Sequence, residues 1–91
     1  MTASDIRHLI KQKTGLTTGT RLNTGSMKEH LRFQITKNGN PPGAQFTADQ
    51  QTQIRKAVNF PGTYTDDNTI NIKIQYLQQE KPAEVQQPAL F

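Results

Sequence analysis

The sequence predicts an α+β fold, a two-layer sandwich with a three-stranded, mainly antiparallel sheet and two helices on one of its faces. Two segments repeat apolar residues every three or four positions, as amphipathic helices do, while others alternate apolar and polar residues, as half-buried strands do. These segments follow one another in the order α-β-β-α-β, which is typical of a layered α+β domain. With 91 residues and 32% hydrophobic positions, the chain has room for one small core and not for two.

The first helix is predicted to start near the amino terminus and to end at about Lys13. Thr2 or Ser4 can accept hydrogen bonds from the backbone amides of the first turn, and Asp5 favours the positive end of the helix. Gly15 supplies the left-handed stop. The buried stripe has the helical spacing i, i+3, i+4 and consists of Ile6, Leu9 and Ile10.

The second helix follows a turn cluster at residues 38–43 and begins with a capping box. Thr47 can bond forward to the backbone of Gln50, whose side chain can reach back to Thr47. The helix is predicted to extend to about Asn59, and Pro61-Gly62 ends it. Its narrow apolar stripe consists of Ile54, Ala57 and Val58.

Strands are predicted at residues 17–23, about 27–37 and 69–77. The first two are separated by turn residues 24–26 and should form a hairpin, while the third alternates almost without interruption. The polar segment 63–68 is predicted to be a connection. The predicted core combines the apolar positions of all these elements and consists of Ile6, Leu9, Ile10, Leu22, Leu31, Phe33, Ile35, Ile54, Val58, Ile70, Ile72, Ile74 and Tyr76.

Residues 1–77 are therefore predicted to form one compact domain, and residues 78–91 a flexible tail. The tail contains prolines, glutamines and acidic residues without any periodicity, a composition that does not favour a packed core. It nevertheless ends on Leu90 and Phe91, two large apolar side chains that a purely solvated segment does not need.

The end of the tail reads Gln87-Pro88-Ala89-Leu90-Phe91. This Gln-x-x-Leu-Phe pattern resembles the short peptide by which bacterial DNA polymerases, mismatch-repair proteins and replication regulators dock on the sliding clamp, the ring-shaped processivity factor. Read from Gln86, the segment resembles a six-residue variant of the same peptide. The resemblance implies that Gln87 orients the peptide and that Leu90 and Phe91 anchor it in a hydrophobic pocket of the clamp.

Basic side chains are predicted to gather on the face of the sheet that the helices leave uncovered, here named the open face. The chain as a whole carries a net charge of +4 at pH 7. The polar strand positions assigned to the open face include Arg21, Lys28, His30, Arg32 and Lys73. Such residues can neutralise the phosphates of a nucleic acid, or meet an acidic partner, without reading a sequence. No aromatic residue is predicted on this face, and the alternative interpretation is an ordinary solvated surface.

The sequence predicts no catalytic residue, cofactor or metal site. The chain has no cysteine, which excludes disulfides and thiolate chemistry, and His8 and His30 fall in separate elements. Asp66 and Asp67 are interpreted as turn residues, and segment 39–43 as a connector. No apolar run reaches the roughly 18 residues needed to cross a bilayer, and the amino terminus lacks a signal-peptide pattern, so we expect a cytoplasmic protein without a membrane partner.

These observations together predict a non-enzymatic binding or adaptor protein that acts on the nucleic-acid machinery of a host and docks on the bacterial sliding clamp through its tail. One alternative is an inhibitor encoded by a phage or plasmid, of the anti-CRISPR or anti-restriction type, that acts through the folded body. Residues 24–28 are similar to a turn in small uncharacterised proteins of phages and plasmids. Another alternative is a non-specific nucleic-acid binder.

Overall fold

The computed structural model describes residues 1–78, which fold into two α-helices and a four-stranded antiparallel sheet. In chain order the elements are α1 (Ala3–Thr14), β1 (Thr18–Leu22), β2 (His30–Ile35), α2 (Ala48–Val58), β3 (Tyr64–Thr65) and β4 (Thr69–Lys73). Short turns of 3-10 helix lie at Gly25–Met27 and Ile74–Tyr76. Across the sheet the strands are ordered β1-β2-β4-β3. The predicted α+β class is confirmed.

Both helices begin at the caps that the sequence predicts. The Thr2 hydroxyl accepts a hydrogen bond from the Asp5 amide at 3.1 Å, and the Asp5 carboxylate accepts one from the Thr2 amide at 2.9 Å. Thr47 and Gln50 form the same reciprocal pair at the start of α2. Each pair satisfies amides that the first turn of a helix leaves without a partner. α2 is followed by Asn59, which adopts the left-handed conformation with a φ of 55° and closes the helix.

The strand register places the apolar residues of β2 and β4 on one face of the sheet. Phe33 lies opposite Ile70, and Leu31 lies opposite Ile72. Because paired residues of adjacent strands point to the same face, these side chains form one apolar surface, which packs with the buried faces of both helices. The buried core draws on both layers and consists of Ile6, Ile10, Phe33, Phe46, Ile54, Val58, Ile70 and Ile72.

The sheet has four strands, so the prediction of three is wrong. The additional strand, β3, lies within the segment 63–68 that was expected to be a polar connection. It is an edge strand in which Tyr64 pairs with Asn71 and Thr65 pairs with Ile70. A strand of two residues is too short to show an alternating pattern, which needs about four residues or more to be recognised. The sheet therefore gains an edge beside β4 that periodicity alone does not reveal.

β2 and β4 are shorter than the alternation of their side chains predicts. β2 begins at His30 rather than near residue 27, because Gly25–Met27 form a 3-10 turn before it. β4 ends at Lys73, where the chain turns into Ile74–Tyr76. A 3-10 turn can continue an alternating composition without continuing the strand. The pattern thus locates both strands correctly but extends them too far.

These shorter strands also correct the predicted core. Leu22 and Ile74 are exposed, at 73% and 41% of their surface, because each lies where a strand ends. Tyr76 lies at the margin of the core, with its ring stacked on Phe60 at a centroid distance of 5.0 Å. Phe46, which belongs to none of the predicted strands, is only 2% exposed and is part of the core.

The described chain ends beside its own amino terminus. Thr2 and Gln78 form an isolated parallel bridge, and the Gln78 amide donates to the Met1 carbonyl at 2.7 Å. Leu77 packs against the core, so the described chain ends close to the first residues of α1. Apart from Gln78, the predicted tail 78–91 lies outside the described residues. Neither helix in the described part of the chain is both long and apolar enough to cross a membrane.

Candidate nucleic-acid interface

Four open-face residues form a row that crosses all the strands. Arg21 pairs with Arg32, Arg32 with Asn71, and Asn71 with Tyr64. These positions alternate along their strands with the residues that face the core, so their side chains lie on the side of the sheet away from the helices. We name this set, Arg21, Arg32, Asn71 and Tyr64, the central row. It places one aromatic and two guanidinium groups on a single surface.

Tyr64 brings an aromatic ring to the open face, where the sequence predicted none. The residue is 55% exposed, and its ring centroid lies 5.3 Å from that of His30, with a tilt of 52° between the planes. The prediction was wrong because it treated the segment before β4 as a connection. A signal was present: Tyr64 and Thr65 are strand-forming residues that precede the turn-forming run 66–68, as in a short hairpin.

Arg21 and Arg32 lie directly opposite each other on β1 and β2. Arg21 is exposed, whereas Arg32 is half-buried and its Nε atom is buried without a hydrogen-bond partner among residues 1–78. Like charges opposite each other on adjacent strands are destabilising. An anion between or above the two guanidinium groups would remove this repulsion and supply acceptors for their N–H groups.

The open face carries no compensating negative charge within residues 1–78. Its strand positions hold basic, amide, hydroxyl, aromatic or glycine residues. The acidic residues of this part of the chain lie in the first turns of the helices, before β2, or in the turn between β3 and β4: Asp5, Asp49, Glu29, Asp66 and Asp67. The positive potential of the central row therefore faces solvent rather than a carboxylate of the same sheet.

The remaining basic residues predicted for the open face occupy different environments. Lys73 pairs with His30 in the row next to the central row, and its aliphatic stem passes beside Gly62. His30 is only 7% exposed, with Nε2 at 3.2 Å from the Gly62 carbonyl, and its ring contacts that of Tyr64. Lys28 is exposed in the turn before β2 and does not belong to a strand, because β2 begins two residues later.

An amide pair fixes the middle of the central row. The Asn23 Nδ2 atom donates to Asn71 Oδ1 at 2.8 Å and to the His30 carbonyl at 3.2 Å. The Asn71 side chain is thereby held between Arg32 and Tyr64. Since the bond from Asn23 uses the Asn71 oxygen, the Asn71 amide nitrogen keeps its donors for another partner.

The turn between β3 and β4 holds Tyr64 in place. Asp66 Oδ1 accepts hydrogen bonds at 2.9 Å from the amides of Asn68 and Thr69 and from the Thr69 hydroxyl. Partial burial opposes ionisation of Asp66, but these hydrogen bonds outweigh it and lower the pKa of its carboxyl. The Arg55 guanidinium also donates to the Thr65 hydroxyl, which ties α2 to β3. The position of the aromatic ring is thus set by a short, well-bonded hairpin.

No protein-family model, curated protein or solved structure matches the chain. The predicted clamp-binding residues, Gln87, Leu90 and Phe91, lie outside the described residues, so the structure does not place them relative to the open face.

Proposed function

We propose that this chain is a non-enzymatic protein that binds single-stranded nucleic acid on the open face of its sheet. Bases stack on Tyr64, and the phosphates beside them contact Arg21 and Arg32. The observation that carries the proposal is the central row, which brings an exposed aromatic ring and two arginines into register on a face where the strand positions of residues 1–78 hold no carboxylate. Stacking rings combined with a basic surface are the recurring chemistry of single-strand binding.

The dimensions of the central row fit an extended strand. Neighbouring strands lie about 4.8 Å apart, so Tyr64 on β3 and Arg21 on β1 are separated by about 14 Å across the sheet. A chain of nucleotides running across the strands can therefore place one base on the ring and neighbouring phosphates on the guanidinium groups. A duplex cannot do so, because its bases are already stacked and paired.

Affinity is tested by fluorescence anisotropy with a labelled single-stranded oligonucleotide at low salt. Tyr64→Ala removes the stacking surface and should weaken binding by about 1–3 kcal/mol, whereas Tyr64→Phe keeps the ring and should bind almost as the parent does. Arg21→Gln should also weaken binding. Its matched control is Lys56→Gln, which removes the same charge from an exposed position on α2. Failure of the parent protein to bind any single strand would refute the proposal.

We also propose, from the sequence pattern, that the chain docks on the bacterial sliding clamp through Gln87, Leu90 and Phe91. A clamp contact and a nucleic-acid contact, each weak, would then reinforce each other through a high effective concentration. Both would act in the cytoplasm.

The clamp contact is tested by calorimetry with purified clamp. The double substitution Leu90→Ala/Phe91→Ala should abolish binding, while Arg21→Gln should leave it unchanged. Equal clamp affinity of the parent and the double variant would remove the docking proposal and leave the open-face proposal standing.

A further inference from the structure

A groove lies on the β1–β2 pair. It extends from Arg21 of the central row toward the start of β1 and the end of β2. It is open to solvent, has a volume of about 470 Å³ and is lined by Gly19, Thr20, Arg21, Gln34, Ile35, Thr36 and Lys37. This volume falls within the range of about 300–1,000 Å³ that is usual for small-molecule sites. Gly19 and Gln34 are register partners, so the groove extends directly over their strand pair.

Gly19 leaves the floor of the groove bare. It lies inside β1 and does not have the positive φ that five other glycines of the described chain adopt, so backbone conformation does not require glycine here. A glycine within a strand weakens it, and often marks a place where a ligand approaches the backbone. A β-carbon at Gly19 would lie 3.2 Å from Thr36 Cγ2, at the surface that a ligand in the groove would occupy.

The side chains around this floor supply both hydrogen bonds and positive charge. Gln34 is half-buried on the open face, and no hydrogen bond within residues 1–78 engages its carboxamide. A carboxamide presents one acceptor and two donors, which match the edge of a nucleobase. Arg21 is exposed on β1, and Lys37 is exposed two residues after the end of β2, so both add positive charge to the rim of the groove.

The far wall of the groove is rigid. Thr36 donates from its hydroxyl to the Asn38 carbonyl at 2.8 Å, and Asn40 Nδ2 donates to the Thr36 and Thr17 carbonyls at 2.7 and 2.9 Å. Asn40 Oδ1 accepts from the Thr17 amide at 2.8 Å. These bonds join the ends of β1 and β2, so the groove is formed before a ligand enters it.

We propose that this groove is a nucleotide subsite that holds one base of the bound strand. The base lies against the backbone at Gly19, its edge bonds to the Gln34 carboxamide, and Arg21 and Lys37 contact the flanking phosphates. The inference rests on the proposed function and adds base recognition to it. The subsite is separate from Tyr64, which lies about 14 Å away across the strands and about 7 Å along them, so the two hold different bases.

The subsite is tested with the full chain and short homopolymers of adenine, cytosine or thymine, compared with an abasic oligonucleotide of the same length. Gly19→Val fills the floor and should weaken binding of base-bearing strands at least about fivefold, with little change for the abasic strand. Gly19→Ala is a milder second variant. Gln34→Ala should reduce the affinity differences among the homopolymers, and Gln53→Ala, an exposed glutamine on α2, is its control.

The outcomes separate the subsite from the proposed function. If Gly19→Val and Gln34→Ala bind every oligonucleotide as the parent does, or weaken abasic and base-bearing strands equally, the subsite is overturned while single-strand binding stands. In a separate experiment, free mononucleotides are added to the protein, and binding is monitored by the amide resonances of Gly19 and Gln34. If mononucleotides shift these resonances but no oligonucleotide binds, the groove is a nucleotide site and the proposed function fails. If neither binds, both fail.

Discussion

Arg21 and Arg32 face each other across the β1–β2 pair, with both side chains on the side of the sheet away from the helices. A cross-strand pair of like charges costs stability, and no carboxylate of residues 1–78 occupies a neighbouring open-face position. A protein selected for stability alone would place an opposite charge at one of these sites. The arrangement is explained if the pair serves to bind an anion.

Arg21→Glu should therefore stabilise the fold while weakening nucleic-acid binding. The substitution converts repulsion with Arg32 into an opposite-charge pair, worth about 0.2–1 kcal/mol in a sheet. Urea denaturation measures the first effect and anisotropy the second. Arg21→Gln is the intermediate case, with a smaller gain in stability. A loss of stability in Arg21→Glu would mean that the two arginines do not repel each other.

Binding should weaken steeply as salt is added. Each phosphate of a single strand that the protein neutralises contributes about −0.7 to the slope of log K against log salt concentration, so contacts from Arg21 and Arg32 predict a slope of about −1.4. Arg21→Gln should reduce the magnitude of this slope by about 0.7, whereas Lys56→Gln should leave it unchanged. An affinity that does not depend on salt would contradict phosphate binding.

Asp66 should make the stability of the β3–β4 hairpin depend on acid pH. Its folded-state pKa is lowered, so its contribution is complete above the unfolded value of about 3.9 and is lost as the pH falls through the lower folded value. Asp66→Asn keeps an acceptor oxygen and removes the titrating group. The free energy of unfolding of this variant should therefore fall less than that of the parent between about pH 5 and about pH 2, which lie on either side of 3.9. Denaturation curves at several pH values measure the difference, and parallel curves would exclude this role.

Asp5 adds to the same acid sensitivity from the other end of the fold. Hydrogen bonding from the Thr2 backbone lowers the pKa of its carboxyl, so protonation at low pH weakens the first capping box. The free energy of unfolding of the double variant Asp5→Asn/Asp66→Asn should therefore depend less on acid pH than that of Asp66→Asn alone. An equal pH dependence of the two variants would show that the cap of α1 does not contribute.

Asn40 should be a stability determinant although it lies in a loop. Its side chain joins Thr17 to Thr36 through three short hydrogen bonds, and Asn40→Ala leaves part-buried backbone groups without partners. The expected cost is about 1–3 kcal/mol, measured by chemical denaturation. Asn38→Ala is the matched control, because only the backbone of Asn38 contributes a bond to this network. Equal stability of the two variants would show that the network is not needed.

The helices could be predicted from the sequence because their determinants are local. Thr2 with Asp5, and Thr47 with Gln50, are separated by three residues, and each pair forms in the structure as expected. The longer strands could be located for the same reason, since alternation is also a local pattern. Their ends could not, because whether Ile74 continues β4 depends on what the next turn contacts.

The candidate site could be predicted only in part. Arg21, Arg32 and Lys73 lie on the open face as expected, but Tyr64 was missed because β3 has two residues and exists only through pairing with β4. The groove over Gly19 was missed as well. The sequence does not show that Gly19 lies opposite Gln34, and the groove can be recognised only when this pairing is known.

Amide chemical-shift mapping of the parent protein during titration with a single-stranded oligonucleotide at low salt tests the central claim most directly. Binding on the open face predicts shifts that saturate together at Arg21, Arg32, Tyr64 and Asn71, with the outer positions of α1 and α2 unchanged. The absence of any shift, or shifts confined to the helices or to residues 79–91, would contradict it.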